Sequence, residues 1–217
     1  MPDPTDASGG SASNGHHESN RAFYDRISAV YDQMADKSER AAREKGIELL
    51  AVQPGERVLE IGFGTGTELV DLASQAGPAG RVVGLDISPG MLAVAQKKLA
   101  HAAPAAPVEL HLGDARRLPL LDASFDAVYS SFTIELFLED DLPAVLGEID
   151  RVLRPGGRLA IVSMAKVKAG EKASILETFY VWMHRHFPHI VDCRPIDVAA
   201  LLAGGGFAVT AKVDLEI

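Results

Sequence analysis

Apolar positions along this chain switch repeatedly between helical and strand spacing. Phe23, Ile27, Val30, Tyr31 and Met34 recur at helical intervals, and a second helix is predicted over about 39–52, stopped by Pro54-Gly55. Arg57-Val58-Leu59-Glu60-Ile61 then reads as a short strand running into a glycine turn. Leu69, Leu72, Ala73 and Ala76 fall at i, i+3, i+4 and i+7, one buried face of a helix that Gly77-Pro78 and Gly80 terminate. The alternation repeats: a strand over 81–85, a helix over 88–100 with Pro89 in its first turn, and strands over 108–112 and 125–130. Leu142, Val145, Leu146, Ile149, Val152 and Leu153 outline an amphipathic helix closed by Arg154-Pro155-Gly156-Gly157. A fifth strand follows over 158–163, an aromatic helix over 174–187, a short helix over 195–203 and a last strand over 207–217.

Strands alternating with helices imply right-handed crossovers. The expected class is therefore α/β: a Rossmann-like, doubly wound, mostly parallel sheet with helices on both faces. In such sheets ligands sit beyond the carboxyl ends of the strands, so chemistry is expected on the loops that follow them. Residues 1–20 are rich in Ser, Gly, Asn and Asp and bury too little to offset their ordering entropy, so they are expected to form a disordered tail. The helices of 21–52 and a core over 53–217 complete the organisation.

Composition narrows the partners. With 217 residues there is room for one domain and its core. The net charge of -9 disfavours a nucleic-acid substrate. Cys193 is the single cysteine, which excludes an intrachain disulfide and fits a reducing, cytoplasmic compartment. No apolar run reaches about 18 residues, and no signal-peptide pattern opens the chain.

The candidate chemistry begins at Glu60-Ile61-Gly62-Phe63-Gly64-Thr65-Gly66. Glycines there permit a tight turn and close approach of a ligand to the backbone, and the helix starting near Thr67 aims free N–H groups at the turn. A dinucleotide fingerprint needs a glycine at position 67, which is threonine. Asp86 ends the second strand 20 residues beyond Gly66, where a carboxylate can accept from both hydroxyls of a ribose. That suits NAD as well as S-adenosylmethionine. Gly113-Asp114-Ala115 follows the third strand, where an acid can accept from an adenine amino group or stand as a solvated loop residue.

These motifs in order resemble class I S-adenosylmethionine-dependent methyltransferases, with the ubiquinone/menaquinone C-methyltransferase-like group the nearest named relatives. The resemblance rests on 58–66, on Val83-Gly84-Leu85-Asp86-Ile87-Ser88 with Met91-Leu92, on Gly113-Asp114-Ala115 with Leu118-Pro119 and Phe125-Asp126, and on Arg151 to Gly157. It implies that Glu60 and the glycines position the methionine part of the cofactor and that Asp86 holds the ribose. It further implies that Ile87 and Met91 lie against the adenine, that Asp114 and the Ala115 backbone meet its edge, and that Ser130 lies below the methionine end. Tyr24 and Tyr31 match the N-terminal cap helix of these relatives, although either also suits core packing. The expected activity is methyl transfer to a small molecule, quinone-like or another metabolite, with S-adenosylhomocysteine as product. The rivals are an NAD-dependent oxidoreductase and a cofactor-binding protein without turnover.

The resemblance places a substrate-recognition insertion at about 166–195. His184 or His186 is a candidate base near neutral pH, and Arg194 a candidate anion anchor. Trp182 and Phe187 also suit a core, and His184, His186, His189 and Cys193 match no standard zinc spacing, so no metal is expected. Glu135, after the fourth strand, reads as a base or, preferably, as the cap of the next helix. The fold usually ends in a seventh strand beside the fifth. Its apparent absence before Ile217 implies that the chain is cut short, that 209–217 closes the sheet differently, or that a partner copy, as a homodimer, supplies the strand and covers the edge.

Overall fold

The computed structural model describes residues 9–28, 37–164 and 195–215. Tyr31, the helix expected over 174–187, His184, His186, His189, Cys193 and Arg194 lie outside them. Two helices, α1 (Gly9–Ile27) and α2 (Lys37–Leu50), precede an alternating core. The core runs β1 (Arg57–Ile61), α3 (Thr67–Ala76), β2 (Arg81–Asp86), α4 (Pro89–Ala102), β3 (Val108–Leu112) and β4 (Phe125–Ser131). Two 3₁₀ turns, Ile134–Leu136 and Glu139–Asp141, lead into α5 (Leu142–Val152), β5 (Leu153–Val162) and α6 (Val198–Gly204).

The strands form one sheet in the order β3-β2-β1-β4-β5, and every pair is parallel. Strand order reverses between β1 and β4, which opens a crevice at their carboxyl ends. Side-chain alternation divides the core. Val58, Val82, Ala127 and Tyr129 pack with Ile47 and Leu50 of α2 and Leu69 and Leu72 of α3. Leu59, Ile61, Val83, Leu85 and Val128 face the other way, onto Val145, Leu146 and Ile149 of α5. Helix α2 lies close to the sheet because Gly46 carries no side chain. A Cβ there would fall 2.4 Å from Val162 Cγ2.

Three expectations change. Helix α1 begins at Gly9, inside the segment that composition assigns to disorder. Its anchor is downstream, where Asn20 and Asp25 bond to the core; once a helix is fixed there, each added residue gains a hydrogen bond without a new nucleation cost. Strand β5 begins at Leu153 rather than 158, and the register slips between Phe125 and Ala127 to absorb Pro155-Gly156-Gly157. Finally, residues 207–215 form no strand. No strand among the described residues pairs with them, and almost all are exposed, so their backbone groups turn to water.

Candidate active site

The crevice is an open cleft over the carboxyl ends of β1, β2 and β4. Its floor is the glycine loop. Gly62, Gly64 and Gly66 all have positive φ (77°, 52° and 79°). The reason glycine is needed differs among them. A Cβ on Gly62 would fall 2.1 Å from Thr133 Oγ1, and one on Gly66 would fall 2.9 Å from Ala95 Cβ of α4. Only at Gly64 would a Cβ meet nothing within 4 Å, because that position faces the cleft. Gly62→Ala is therefore expected to cost about 3 kcal/mol of stability in urea melts, from overpacking added to left-handed strain. Gly64→Ala is expected to cost only about 1 kcal/mol while obstructing ligand binding. Equal losses of stability in the two variants would contradict this division.

Asp86, 8% exposed at the end of β2, fixes the loop. Its Oδ2 accepts from Gly64 N at 2.8 Å and its Oδ1 from Ser88 N at 2.9 Å. Burial pushes its carboxyl up to about 6, against the lowering effect of these N–H donors. Ser88 caps α4, its hydroxyl accepting from Met91 N at 3.1 Å, so Asp86 is left free of a capping role. Ile87 and Met91 line the cleft beside it.

Gly113, Asp114 and Ala115 form the wall beyond β3. Asp114 is gripped by Arg116, whose Nη2 donates to Oδ2 at 2.7 Å and whose backbone N–H donates to Oδ1 at 2.9 Å. Arg116 orients the acid and takes part of its acceptor capacity, a role sequence spacing did not reveal.

On the β4 side the wall is Ser131, Phe132 and Thr133. Ser130 lies one residue behind it, fully buried, with its hydroxyl donating to Ile61 O at 3.1 Å. Ser131 rather than Ser130 lines the cleft, because successive strand side chains point to opposite faces. Phe132 has φ +48°, rare for a bulky residue and typical of strained functional turns. Arg43 of α2 stacks over its ring at 5.4 Å and also reaches Glu68. Arg43, Glu68 and Asn20 all line the cleft and were not anticipated. Tyr24 lines it as expected.

Glu60, in β1 two residues before Gly62, is wholly buried and not among the residues lining the cleft, and neither carboxyl oxygen has a hydrogen-bond partner among the described residues. Desolvation first, then Glu68, pushes its carboxyl well above the ordinary range; Arg43 pulls the other way. A buried acid in this state favours a nearby cation. Glu135 also differs from expectation. It caps no helix: Oε1 accepts from Met164 N at 3.2 Å, Oε2 has no partner among the described residues, and Asp141 occupies the N-cap of α5. Burial pushes Glu135 up to about 7, and it is not among the residues lining the cleft. Glu135 lies within the 3₁₀ turn that follows β4, and its bond from Met164 N ties that turn to the end of β5.

Fold and site together define a Rossmann-like domain with a cleft at the carboxyl ends of its strands, lined by Asp86 and Asp114 on one side and by Arg43 and Glu68 on the other. Residues 58–157 match the family model described as a methyltransferase domain. Among curated relatives, a demethylmenaquinone methyltransferase of Lactobacillus johnsonii is 35% identical over 148 residues, 66% of this chain and 60% of that protein. A ubiquinone/menaquinone biosynthesis C-methyltransferase of Teredinibacter turnerae is 35% identical over 161 residues, 71% of this chain and 64% of that protein. The crystal structure of an S-adenosylmethionine-dependent methyltransferase from Aquifex aeolicus shares the fold (TM-score 0.61, 24% identity, 82% of this chain and 87% of that one). Over residues 58–157 the chain is similar to the methyltransferase domain, and its sheet and helices share the fold of that solved S-adenosylmethionine-dependent enzyme. It spans about three fifths of the length of the curated relatives it matches. Among the described residues, no helix is long and apolar enough to cross a membrane.

Proposed function

We propose that this chain transfers a methyl group from S-adenosylmethionine to a small acceptor of the hydroquinone type. The observation that carries the reading is the pairing of two features around one cleft. Asp86, Ile87, Met91 and Asp114 line one end, and Arg43 and Glu68 line the other, where both are electrostatically coupled to the orphaned buried carboxyl group of Glu60.

The cofactor fits these residues, and when bound it supplies an electrophilic methyl group on a sulfonium cation. Asp86 would accept from the ribose hydroxyls, and Ile87 and Met91 would sandwich the adenine. Asp114, oriented by Arg116, would accept from the adenine amine. Glu60 and Glu68 would complement the ammonium end, and the Arg43 guanidinium the carboxylate. Gly64 lets the backbone come close, and Tyr24 with Asn20 would close the roof and exclude water. Holding donor and acceptor in line can lower the barrier by about 7–11 kcal/mol.

The acceptor class follows from the relatives, named for demethylmenaquinone and ubiquinone/menaquinone C-methylation. Methylation at a ring carbon must release one ring proton, so a base is useful there. His184 and His186, in the segment expected to recognise substrate, stay the candidates for it.

The experiment is transfer of labelled methyl into a panel of naphthohydroquinones and benzohydroquinones, run beside calorimetry with S-adenosylmethionine and NAD. Label in an organic-extractable product is the expected result. Sulfonium binding without label would make the protein a binder without turnover, and binding of NAD alone would end the methyltransferase reading.

A further inference from the structure

Helix α1 is pinned to both sides of the cleft. On the β4 side, Asn20 Nδ2 donates to Leu136 O at 3.2 Å. On the β2 side, Asp25 Oδ1 accepts from Ser88 Oγ at 2.6 Å and from Gly90 N at 2.8 Å. The two pins are five residues apart, about 7.5 Å along a helix, and Tyr24 between them lines the cleft.

The Asp25 pin does more than hold a helix down. The Ser88 hydroxyl has a single hydrogen, and it goes to Asp25. Its lone pair is thereby turned toward Met91 N, which caps α4. The backbone N–H of the same Ser88 holds Asp86 Oδ1, while Asp86 Oδ2 holds Gly64 N. One continuous chain of hydrogen bonds runs from α1 through Asp25, Ser88 and Asp86 to the open glycine. Gly90 is shaped for the same contact: a Cβ there would fall 2.9 Å from Ser28 Oγ and 3.0 Å from Asp25 Cα. Ser88 is fully buried and Asp86 nearly so, so water does not replace a lost partner cheaply.

We propose that Asp25 is a positioning residue that couples the seating of α1 over the cleft to the orientation of Asp86 and the Gly64 loop, through the shared Ser88. The proposal rests on the reading that Asp86 holds the cofactor's ribose. The seating of α1 and the readiness of the ribose acid are then one event, and a cofactor that engages Asp86 tightens the roof above itself.

The test uses the full chain and two readouts. Amide hydrogen exchange without ligand reports the coupling itself. Asp25→Ala is expected to raise exchange in α1 and also at 62–66 and 86–91, whereas Asn20→Ala raises it in α1 alone. Gly90→Ala, which unseats α1 without removing any hydrogen-bonding group, is expected to match Asp25→Ala. Calorimetry with S-adenosylhomocysteine reports the consequence: about tenfold weaker binding for Asp25→Ala and Gly90→Ala, and rescue to near wild type by Asp25→Asn, which keeps an acceptor oxygen. Unchanged exchange at 62–66 and 86–91 in both Asp25→Ala and Gly90→Ala would overturn the proposal, as would failure of Asp25→Asn to restore affinity. If the wild-type chain does not bind S-adenosylhomocysteine, the functional reading fails, and exchange alone decides whether the coupling exists.

Discussion

Asp86→Ala is expected to weaken S-adenosylmethionine binding by at least about 100-fold, since hydrogen bonds to a charged acceptor contribute about 1.5–3 kcal/mol each. The loss has two sources. The ribose diol loses its acceptor, and Gly64 N and Ser88 N, now held at 2.8 and 2.9 Å, lose theirs in a buried place. The loop that must admit the ligand is loosened together with the group that would hold it. A pH dependence accompanies the substitution. Burial raises Asp86 to about 6, and only its ionised form accepts from both hydroxyls and both N–H groups. Wild-type affinity is therefore expected to fall as pH drops through about 6, and in Asp86→Asn that dependence should vanish at a uniformly lower affinity. Calorimetric titrations between pH 5 and pH 8 check both points. Wild-type affinity that stays flat across this range would remove Asp86 from the ribose.

Glu135→Gln is expected to stabilise the ligand-free protein at alkaline pH. Glu135 is 1% exposed and raised to about 7 in the folded chain, against 4.5 for an ordinary glutamate. Between those values the folded state binds more protons than the unfolded one, so stability falls as pH rises across the window. Above about pH 7 the folded protein carries an ionised buried acid, at a cost on the order of 3 kcal/mol. Glutamine keeps an oxygen for Met164 N without that cost. The variant should match the wild type near pH 5 and exceed it near pH 8 in urea denaturation. Asp86 acts in the same direction between 3.8 and about 6, so a shallower slope should persist in the variant. Identical urea midpoints for both proteins at pH 8 would show that Glu135 is not held as a buried acid.

The two substitutions separate function from scaffold. Asp86 lines the cleft and moves affinity first. Glu135 does not line it, and is expected to move stability first while leaving the cleft wall intact. Asp25 lies between these cases, since it is not among the residues lining the cleft and reaches it through Ser88.

Much of the site was legible in the chain itself, because the relevant signals are local. Strand-then-glycine at 57–66 is a spacing of backbone conformations, and Asp86 and Asp114 lie where strands end, which periodicity locates. The parallel sheet follows from alternation of strand and helix patterns. Tertiary structure decided what depends on contacts distant in sequence. Which glycine has open space in front of it is set by Thr133 and Ala95, which crowd Gly62 and Gly66 and leave Gly64 clear. That Ser131 rather than Ser130 meets the cleft is decided by one step of strand register against Ile61. Arg43 and Asn20 come from helices before the motif-bearing core, and no spacing rule connects them to it. The helical start at Gly9 depends on bonds that its far end makes to Ser88 and Leu136, so composition alone could not show it. Sequence determined which groups stand at the strand ends; packing determined which of them face the cleft, because facing is a matter of neighbours and not of order along the chain.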